Sequence, residues 1–549
     1  MKIKLLKRIK PALSYILIGV VLTISVGYQS GYFEIAKQLE IFNLVFKTVN
    51  TNYISETNPA ELMEKSINKM LHDLDPYTRF MNEQDVEAYR IKQQGSYGGI
   101  GVKTRYRKDK IIIMGVNMDT PADKAGLKAG DKITAIDGVK VSDYKAKEVK
   151  TLLRGTPDTE VILTISRQGK ILKKIVIRQE VIINPVPYYA MATDNVGYIP
   201  LVKFNKKTTK QVKEALVALK KQGANKIILD LRGNPGGLLS QAVSVVNLFI
   251  PKGQLVVDTR SRVEKYNKEY KTRGAAFDTE IPLIVIVNNR SASASEIVSG
   301  TLQDLDRAVI IGDRSFGKGL VQRPINLAYG TQMKLTISKY YTPSGRCIQE
   351  IDYWNRDSLG KPQKYNVNKR QAFKTKNGRT VYDGGGVTPD VKVQETELSK
   401  ITKLLLRDDI FVDFATKYYY NHSNLDVKNF TFSDTDFNTF ITYVKDHNFS
   451  TKSKTEKYLD KLMSTAKDDD LDKDIKANTL ALNNTIKQAK ITALSTHKEE
   501  IKKLFTDELI KRFAYRKGLY EYQLTHDLEI KKGIELLNNE AKIKKILKS

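Results

Sequence analysis

The stretch Ser291-Ala-Ser-Ala-Ser-Glu-Ile297 is followed further along the chain by Ser315-Phe-Gly-Lys-Gly-Leu-Val-Gln322. The first stretch comes after an apolar run, Leu283–Val287, and before a segment of helical period, so it is predicted to turn from a strand into a helix. The backbone N–H that follows a serine at such a turn can face an oxyanion. The second stretch places Lys318 between two glycines. Together the two stretches indicate a hydrolase in which a lysine activates a serine.

The positions of the histidines favour a lysine base. All five lie far from the serines in sequence: His72, His422, His447, His497 and His526. A serine hydroxyl is a weak nucleophile that needs a base, and a lysine serves only when desolvation or nearby positive charge keeps it neutral. The residues on either side of Lys318 are uncharged, which is compatible with burial. From the residues alone, Ser291, Ser293 and Ser295 all stay open as nucleophile.

The composition is that of a folded protein with several domains. The chain has 549 residues, too many for one compact core, and 41% of them are hydrophobic. Cys347 is the only cysteine, which excludes an intramolecular disulfide and a CxxC motif. With so few histidines a zinc site is not expected either. No metal and no cofactor are predicted.

The net charge of +29 raises the question of nucleic-acid binding. Residues 395–549 contain 28 Lys+Arg and 25 Asp+Glu, so nearly all of the excess lies before residue 395. That part has no basic motif with interleaved aromatic residues of the kind that binds RNA or DNA. Basic residues spread over several domains more often serve solubility or attraction to an anionic membrane surface. Nucleic acid is therefore not a predicted partner.

The N-terminus predicts export. Basic residues come first: Lys2, Lys4, Lys7, Arg8 and Lys10. A largely apolar run from Pro11 to about Val26 follows them, which is typical of a signal whose N-terminus stays inside. Residues 1–30 are predicted to be a signal anchor in a bacterial inner membrane, with the catalytic part in the periplasm. The alternative is a cleaved signal and a periplasmic protein, for which Ser25-Val-Gly27 is only a weak cleavage site.

Two further segments precede the serine. Residues 31–93 have a helical period, interrupted by the turn Leu74-Asp-Pro-Tyr-Thr78. Residues 94–180 open with a glycine-rich loop and continue with predicted strands such as Ile111–Val116 and Glu160–Arg167. Glycines before a strand leave N–H groups to bind a carboxylate, while the strand edge can accept an extended peptide. This unit resembles a PDZ domain, whose carboxylate-binding loop would be Gly98, Gly99, Ile100, Gly101 and Val102.

The rest of the chain divides into two regions. In residues 181–396, predicted strands such as Val196–Phe204 and Lys226–Leu231 alternate with predicted helices such as Thr208–Gln222, which indicates an α/β domain. Asn234-Pro-Gly-Gly-Leu238 follows the second of these strands, and the N–H of Gly237 could be a second oxyanion donor. Residues 397–549 are rich in Lys, Asp and Asn, have a helical period and carry no chemical motif. They fit a helical accessory domain or a partner-binding arm.

The order of motifs from about Gly31 to Val393 resembles the carboxy-terminal processing proteases, also called tail-specific proteases, a family of serine–lysine peptidases. The motifs are LDPYTRF, GGIGV, DLRGNPGGLL, SASASEIVSGTLQD, GDRSFGKGLVQ, YYTPSGR and GGGVTPDV. The resemblance implies Ser293 as nucleophile, Lys318 as base and Gln322 as the residue that orients the lysine. It also implies Gly237 and Ala294 as oxyanion-hole donors and a supporting role for Asp304.

The resemblance further implies a multidomain α/β and β architecture: a ClpP- and crotonase-like protease core, an inserted PDZ domain, an N-terminal helical region and a helical C-terminal extension. The predicted activity is endoproteolysis of exported proteins at or near their C-termini, with an apolar tail bound by the PDZ domain. Two alternatives stay open, a catalytically inactive PDZ scaffold and an acyl-CoA enzyme of the crotonase type, although the latter leaves the PDZ unit and the export signal unexplained. The sequence leaves open a homo-oligomer and the need for an adaptor lipoprotein.

Overall fold

The computed structural model of the protein describes residues 32–107, 110–144, 146–366, 370–393, 398–422, 425–447, 449 and 451–548. The predicted signal anchor lies outside them, and no described helix is both long and apolar enough to cross a membrane. The described residues divide into two compact units, one formed by those from 32 to Asn82 together with Pro324–Leu335, the other by those in Glu83–Arg323 and from Thr336 to 548.

The first unit is mainly helical. Its elements are α1 (32–52), α2 (Pro59–His72) and β1 (Arg79–Met81). Asn58 caps α2 by accepting a hydrogen bond from the N–H of Glu61, and β1 pairs antiparallel with residues 332–334. The turn between α2 and β1 is closed by Asp75, whose Oδ1 accepts hydrogen bonds from the N–H groups of Tyr77 and Thr78 at 2.7 and 2.8 Å.

The second unit opens with α3 (Glu83–Gln94) and then forms an antiparallel β domain. Its elements are β2 (Ser96–Gly99), β3 (Val102–Arg107), β4 (Lys110–Val116), α4 (Pro121–Lys124), β5 (Lys132–Ile136), β6 (Val139–Lys140), α5 (Ala146–Leu152), β7 (Glu160–Arg167), β8 (Lys170–Ile177) and β9 (Gln179–Ile182). The main sheet has the order β3-β4-β5-β7-β8, with β6 beside β5, while β2 pairs with β9. The strand β3 is therefore an edge strand.

The α/β region follows. Its helices are α6 (Thr208–Lys221), α7 (Leu239–Asn247) and α8 (Ala294–Asp304). Its strands are β10 (Ala190–Met191), β11 (Val196–Pro200), β12 (Lys226–Asp230), β13 (Leu255–Arg260), β14 (Lys268–Lys271), β15 (Leu283–Val287), β16 (Val309–Gly312), β17 (Leu320–Asn326), β18 (Gln332–Tyr341), β19 (Ile351–Arg356), β20 (Pro362–Lys364), β21 (Ala372–Lys374), β22 (Thr380–Tyr382) and β23 (Val391–Lys392).

A six-stranded sheet in the order β10-β11-β12-β15-β16-β23 forms the centre of this region. All pairs in it are parallel except β10 with β11. A parallel sheet covered on both faces requires strands that are apolar throughout, and every residue of β15 is buried. The strands and helices predicted for this region are confirmed to within one or two residues, except that the predicted strand Val196–Phe204 ends at Pro200.

Helices make up the C-terminal part. They are α9 (Lys400–Leu405), α10 (Asp409–Asn421), α11 (Asp434–His447), α12 (Lys454–Asp468), α13 (Asp472–Thr496), α14 (Lys498–His526), α15 (Leu528–Leu537) and α16 (Glu540–Lys548). An aromatic core that includes Phe414 and Phe505 holds several of them together. The helix α14 is kinked at Ala514 and Tyr515, where the backbone is not helical.

These helices pack closely on both preceding domains. Ile530, Leu536 and Leu537 join a buried cluster with Tyr198 and other residues of the central sheet, so the last helices cover the face of the sheet opposite α6, α7 and α8. Ile112 of the β domain belongs to the aromatic core of the helices. In addition, the Tyr515 hydroxyl donates to Asp123 at 2.6 Å. The extension is a domain packed against the rest of this unit and not a detached arm.

Candidate active site

Two loops meet at the carboxyl ends of the neighbouring parallel strands β12 and β15. The first contains Asn234, and the second runs from residue 288 to Ser293. The Ala292 N–H and the Ser295 hydroxyl both donate to the carbonyl oxygen of Asn234, at 3.0 and 2.9 Å. The Asn234 amide in turn donates to the carbonyl of Leu201 at 2.7 Å. The glycine loop and the serine turn are thus held together at the end of the sheet where α/β proteins bind ligands.

The geometry separates the three candidate serines. Ser291 and Ser295 are fully buried, and their hydroxyls donate to the carbonyl oxygens of Leu231 and Asn234 at 2.8 and 2.9 Å. Ser293 is only half-buried and stands at the start of α8 with φ 57° and ψ −112°. A non-glycine residue in that region of backbone space is strained, and such strain is concentrated at functional sites. The turn therefore presents Ser293 and not its two neighbours.

The predicted oxyanion donors lie beside this turn. Ala294 is the first residue of α8, so its N–H has no acceptor within the helix. Gly237 is exposed, and a side chain could not be accommodated there because a Cβ would lie 2.0 Å from the carbonyl oxygen of Phe204. Within the part of the chain that the structure describes, neither the Ala294 N–H nor the Gly237 N–H donates to an acceptor. Both are thus available to a ligand.

Gly236 packs directly against the serine turn, which leads to a prediction. A Cβ on Gly236 would lie 2.6 Å from the Ala292 carbonyl oxygen and 2.8 Å from the Ala294 nitrogen. We expect Gly236→Ala to displace the turn and to lower kcat/KM on a peptide substrate by about 10²-fold, the cost of a shift of about 1 Å. Gly233→Ala is the matched control, because Gly233 also has a positive φ but its Cβ would meet nothing within 4 Å. Equal activity of the two variants would contradict the requirement for close packing.

Lys318 lies in the loop between β16 and β17. Its Nζ donates to Oε1 of Gln322 at 2.7 Å, and the amide nitrogen of Gln322 donates to the Thr336 hydroxyl at 3.3 Å. Thr336 thus fixes the orientation of the amide, which presents its oxygen to the lysine. Lys318 is half-buried, and its neighbour Phe316 is 42% exposed, so the loop is more open than its uncharged sequence suggested.

One buried carboxylate, which the sequence analysis did not assign, connects the serine turn to the lysine loop. Oε2 of Glu296 accepts hydrogen bonds from the N–H groups of Ser293 and Lys318, at 2.7 and 2.9 Å. Its Oε1 accepts from the Ser315 hydroxyl and the Gly317 N–H, at 2.5 and 2.6 Å. The signal was present in the sequence, since Ser293-Ala-Ser-Glu296 has the spacing of a helix capping box.

The burial of Glu296 affects its titration. The side chain is fully buried, and this burial raises its pKa, although the hydrogen bonds from Ser315, Lys318, Gly317 and Ser293 act in the opposite direction. A second buried contact ties the same two segments, because Tyr340 donates from its hydroxyl to the Ser293 carbonyl at 3.3 Å and from its N–H to the Gly319 carbonyl at 2.9 Å.

Asp304 lies at the far end of α8 from Ser293. Its carboxylate forms an ion pair with the buried guanidinium of Arg346 at 2.7 Å and accepts a hydrogen bond from the Thr342 hydroxyl at 2.5 Å. It also accepts from the N–H of Ser344 at 3.0 Å. Asp304 therefore anchors the YTPSGR segment, which agrees with a supporting role.

The predicted carboxylate loop lies between two strands of the β domain. Gly98 and Gly99 end β2, Val102 begins β3, and Ile100 and Gly101 form the turn between them. Gly101 has φ 84°. The carbonyl oxygens of the two turn residues are occupied, since they accept hydrogen bonds from nearby backbone N–H groups at 2.8 and 3.0 Å.

Comparisons with known proteins place the chain in a family. It is 39% identical over 321 residues to the carboxy-terminal-processing protease of Bartonella bacilliformis, an alignment that covers 57% of this chain and 73% of the relative. The chain belongs to the carboxy-terminal processing proteases. It is also 32% identical over 311 residues to the carboxy-terminal processing protease CtpA of Bacillus subtilis, covering 56% of this chain and 66% of the relative.

Family profiles match three parts of this carboxy-terminal processing protease. Residues 195–353 match peptidase family S41, residues 98–176 match the PDZ domain, and residues 401–537 match the C-terminal helical domain of probable PDZ-proteases. Among solved structures, the photosystem II D1 C-terminal processing protease is 28% identical, with 64% of this chain and 92% of that chain covered and a TM-score of 0.36. The protein is thus a serine-type peptidase with a PDZ domain and a C-terminal helical domain.

Proposed function

We propose that the protein is an endopeptidase that cleaves protein tails with a Ser293–Lys318 dyad. The observation that carries the proposal is the bonding of Glu296, because one carboxylate oxygen accepts from the backbone N–H groups of both residues. The strained, half-buried Ser293 and the glutamine-bound Lys318 then have the roles of nucleophile and base. The parallel sheet, with its glycine loop and helix N-terminus, also fits the ClpP- and crotonase-like fold that we propose for the catalytic core.

The chemistry follows from these positions. Neutral Lys318 takes the proton of the Ser293 hydroxyl as its oxygen attacks the scissile carbonyl. The N–H groups of Gly237 and Ala294 bind the developing oxyanion, and each such donor contributes a factor of about 10²–10³ in rate. The protonated lysine then gives its proton to the leaving amine. A water molecule, deprotonated by the same lysine, hydrolyses the acyl-enzyme.

The PDZ domain indicates which class of substrate the protease would bind. An extended tail can pair with the edge strand β3, and its terminal carboxylate can bind N–H groups of the loop from Gly98 to Val102. We propose an apolar terminal residue, since Ile100 of this loop belongs to the apolar core of the domain. The basic and then apolar N-terminal segment, which lies outside the described residues, favours exported proteins as the substrates.

The test compares two peptides of one sequence that end in an apolar residue, one with a free carboxylate and one with a C-terminal amide. We expect the wild-type protein to cleave the free acid about ten-fold faster at low peptide concentration, because the amide lacks the charge that the loop binds. Ser293→Ala gives the blank rate. Equal rates would contradict tail capture. Absence of both cleavage and labelling by a serine-reactive phosphonate would favour the inactive scaffold.

A further inference from the structure

The two faces of the edge strand β3 differ in chemistry. Side chains alternate along a strand, and Val102 and Tyr106 pack against the apolar core of the PDZ domain. Lys103 and Arg105 therefore lie on the opposite face. Arg105 stands directly across from Ile112, which belongs to the core of the C-terminal helices. The face of β3 that carries Lys103 and Arg105 is the one turned towards the helical domain.

The helix α14 adds positive charge to this face. It contacts β4, the strand that pairs with β3. Burial, followed by the charges of Arg516 and Lys511 on this helix, lowers the pKa of Lys103. Arg105 donates from Nη2 to the carbonyl of Leu406 at 3.3 Å, while its buried Nη1 has no hydrogen-bond partner in the described part of the chain. We call Lys103, Arg105, Lys511 and Arg516 the basic cluster.

The positive charge of the basic cluster is only partly compensated. The negative charge of Glu508 acts on Lys103, but the Glu508 carboxylate already pairs with Lys511 at 2.9 Å and with Arg512 at 3.1 Å. Of the described residues, none forms an ion pair with Lys103 or Arg516. An anionic group could therefore approach Lys103 and Arg516 without displacing a described ion-pair partner of either.

We propose that the basic cluster makes the PDZ domain select tails with acidic side chains at the penultimate position and at the fourth position from the end. In a tail paired with β3, the terminal side chain lies on the core face with Ile100 and Val102. The residue before it and every second residue beyond must then lie on the face of Lys103 and Arg105. The inference rests on the proposed function, because it assumes that the tail is added to β3.

The test measures tail binding to the full chain carrying Ser293→Ala, which keeps the peptides intact. Fluorescent peptides share one apolar terminal residue and differ only at the two selected positions, which are both Glu, both Gln or both Lys. Two exposed charge pairs predict that the Glu tail binds about ten-fold more tightly than the Lys tail at low salt. The difference should shrink at about 0.5 M salt, because exposed charges are then screened.

Two variants and a matched control test whether the basic cluster causes the preference for the Glu tail. Lys103→Glu or Arg516→Glu should remove the preference for the Glu tail, whereas Lys170→Glu, an equal charge change at an exposed site on β8, should keep it. The Gln tail should bind all four proteins alike, which shows that the groove is intact.

The outcomes separate the two proposals. If the Glu, Gln and Lys tails bind equally but still need a free carboxylate, the selectivity is wrong and tail capture stands. If binding does not depend on the carboxylate at all, tail capture itself is wrong, and the selectivity with it. A preference for the Glu tail that persists in Lys103→Glu and Arg516→Glu would overturn the assignment to the basic cluster.

Discussion

Replacing Lys318 by alanine is expected to lower kcat on a peptide substrate by about 10⁴- to 10⁶-fold, to the level of Ser293→Ala. The reason is that Ser293 and Lys318 would act as one unit, in which neither the hydroxyl without its base nor the base without its hydroxyl attacks the carbonyl. The rates of the single variants and of the double variant would be compared under single-turnover conditions. The double variant should be no slower than either single variant, because the second change removes nothing that still works.

Ser295→Ala is the control for this series. It is the same chemical change two residues along the turn, but the Ser295 hydroxyl is buried and donates to the Asn234 carbonyl, which the Ala292 N–H also reaches. We expect Ser295→Ala to keep kcat within about ten-fold of the wild type, the cost of one neutral hydrogen bond. A Lys318→Ala protein that cleaves as fast as Ser295→Ala would eliminate the lysine as the base.

The second large effect is expected for Glu296→Gln, with a fall in kcat/KM of about 10²-fold, comparable to a shift of about 1 Å in the catalytic groups. The amide has nearly the shape of the carboxylate, but its NH₂ group cannot accept a hydrogen bond. Whichever way it turns, it must face two of the donors that Glu296 now satisfies. The Ser293 turn and the Lys318 loop would therefore lose their common support.

The pH dependence of unfolding distinguishes this positioning role from general damage. Burial raises the pKa of Glu296 in the folded state, so its ionisation costs stability as the pH rises from the ordinary glutamate range through that raised value. Glu296→Gln lacks this titration, and its melting temperature relative to wild type should increase as the pH rises above the ordinary glutamate range. A constant difference in melting temperature would contradict the raised pKa. If a serine-reactive phosphonate labelled Glu296→Gln at the wild-type rate, the positioning role would be contradicted.

The sequence predicted most of the central fold, because its strands are apolar along their whole length and its helices have a clear period. The position of Ser291–Ile297 between a strand and a helix was likewise predictable from the neighbouring residues. The order of the strands in the sheet could not be predicted, because all of them are similar apolar segments. The strands β19 to β22 were missed because they are short and largely exposed.

For the site, the residue types were predictable and the contacts were not. The residues alone left three serines open, and only the family resemblance pointed to Ser293, because the buried carbonyls that the Ser291 and Ser295 hydroxyls reach cannot be inferred from the sequence. The capping-box pattern could have pointed to Glu296, but only the fold shows that the Lys318 N–H donates to the same carboxylate. The basic cluster could not be predicted from the sequence either, because its members come from β3 and α14, which are far apart in the chain.

The position of the last helices has a consequence for how the protein is made. The face of the central sheet formed by β11, β12, β15 and β16 is covered by residues from Tyr520 onward, which a ribosome adds long after the strands themselves. Arg232, at the root of the glycine loop, also obtains its partners Asp527 and Glu529 only then. A nascent chain would therefore carry an uncovered apolar face of the sheet, and an Arg232 paired only with Asp230, until the helices from about Tyr520 onward have been made.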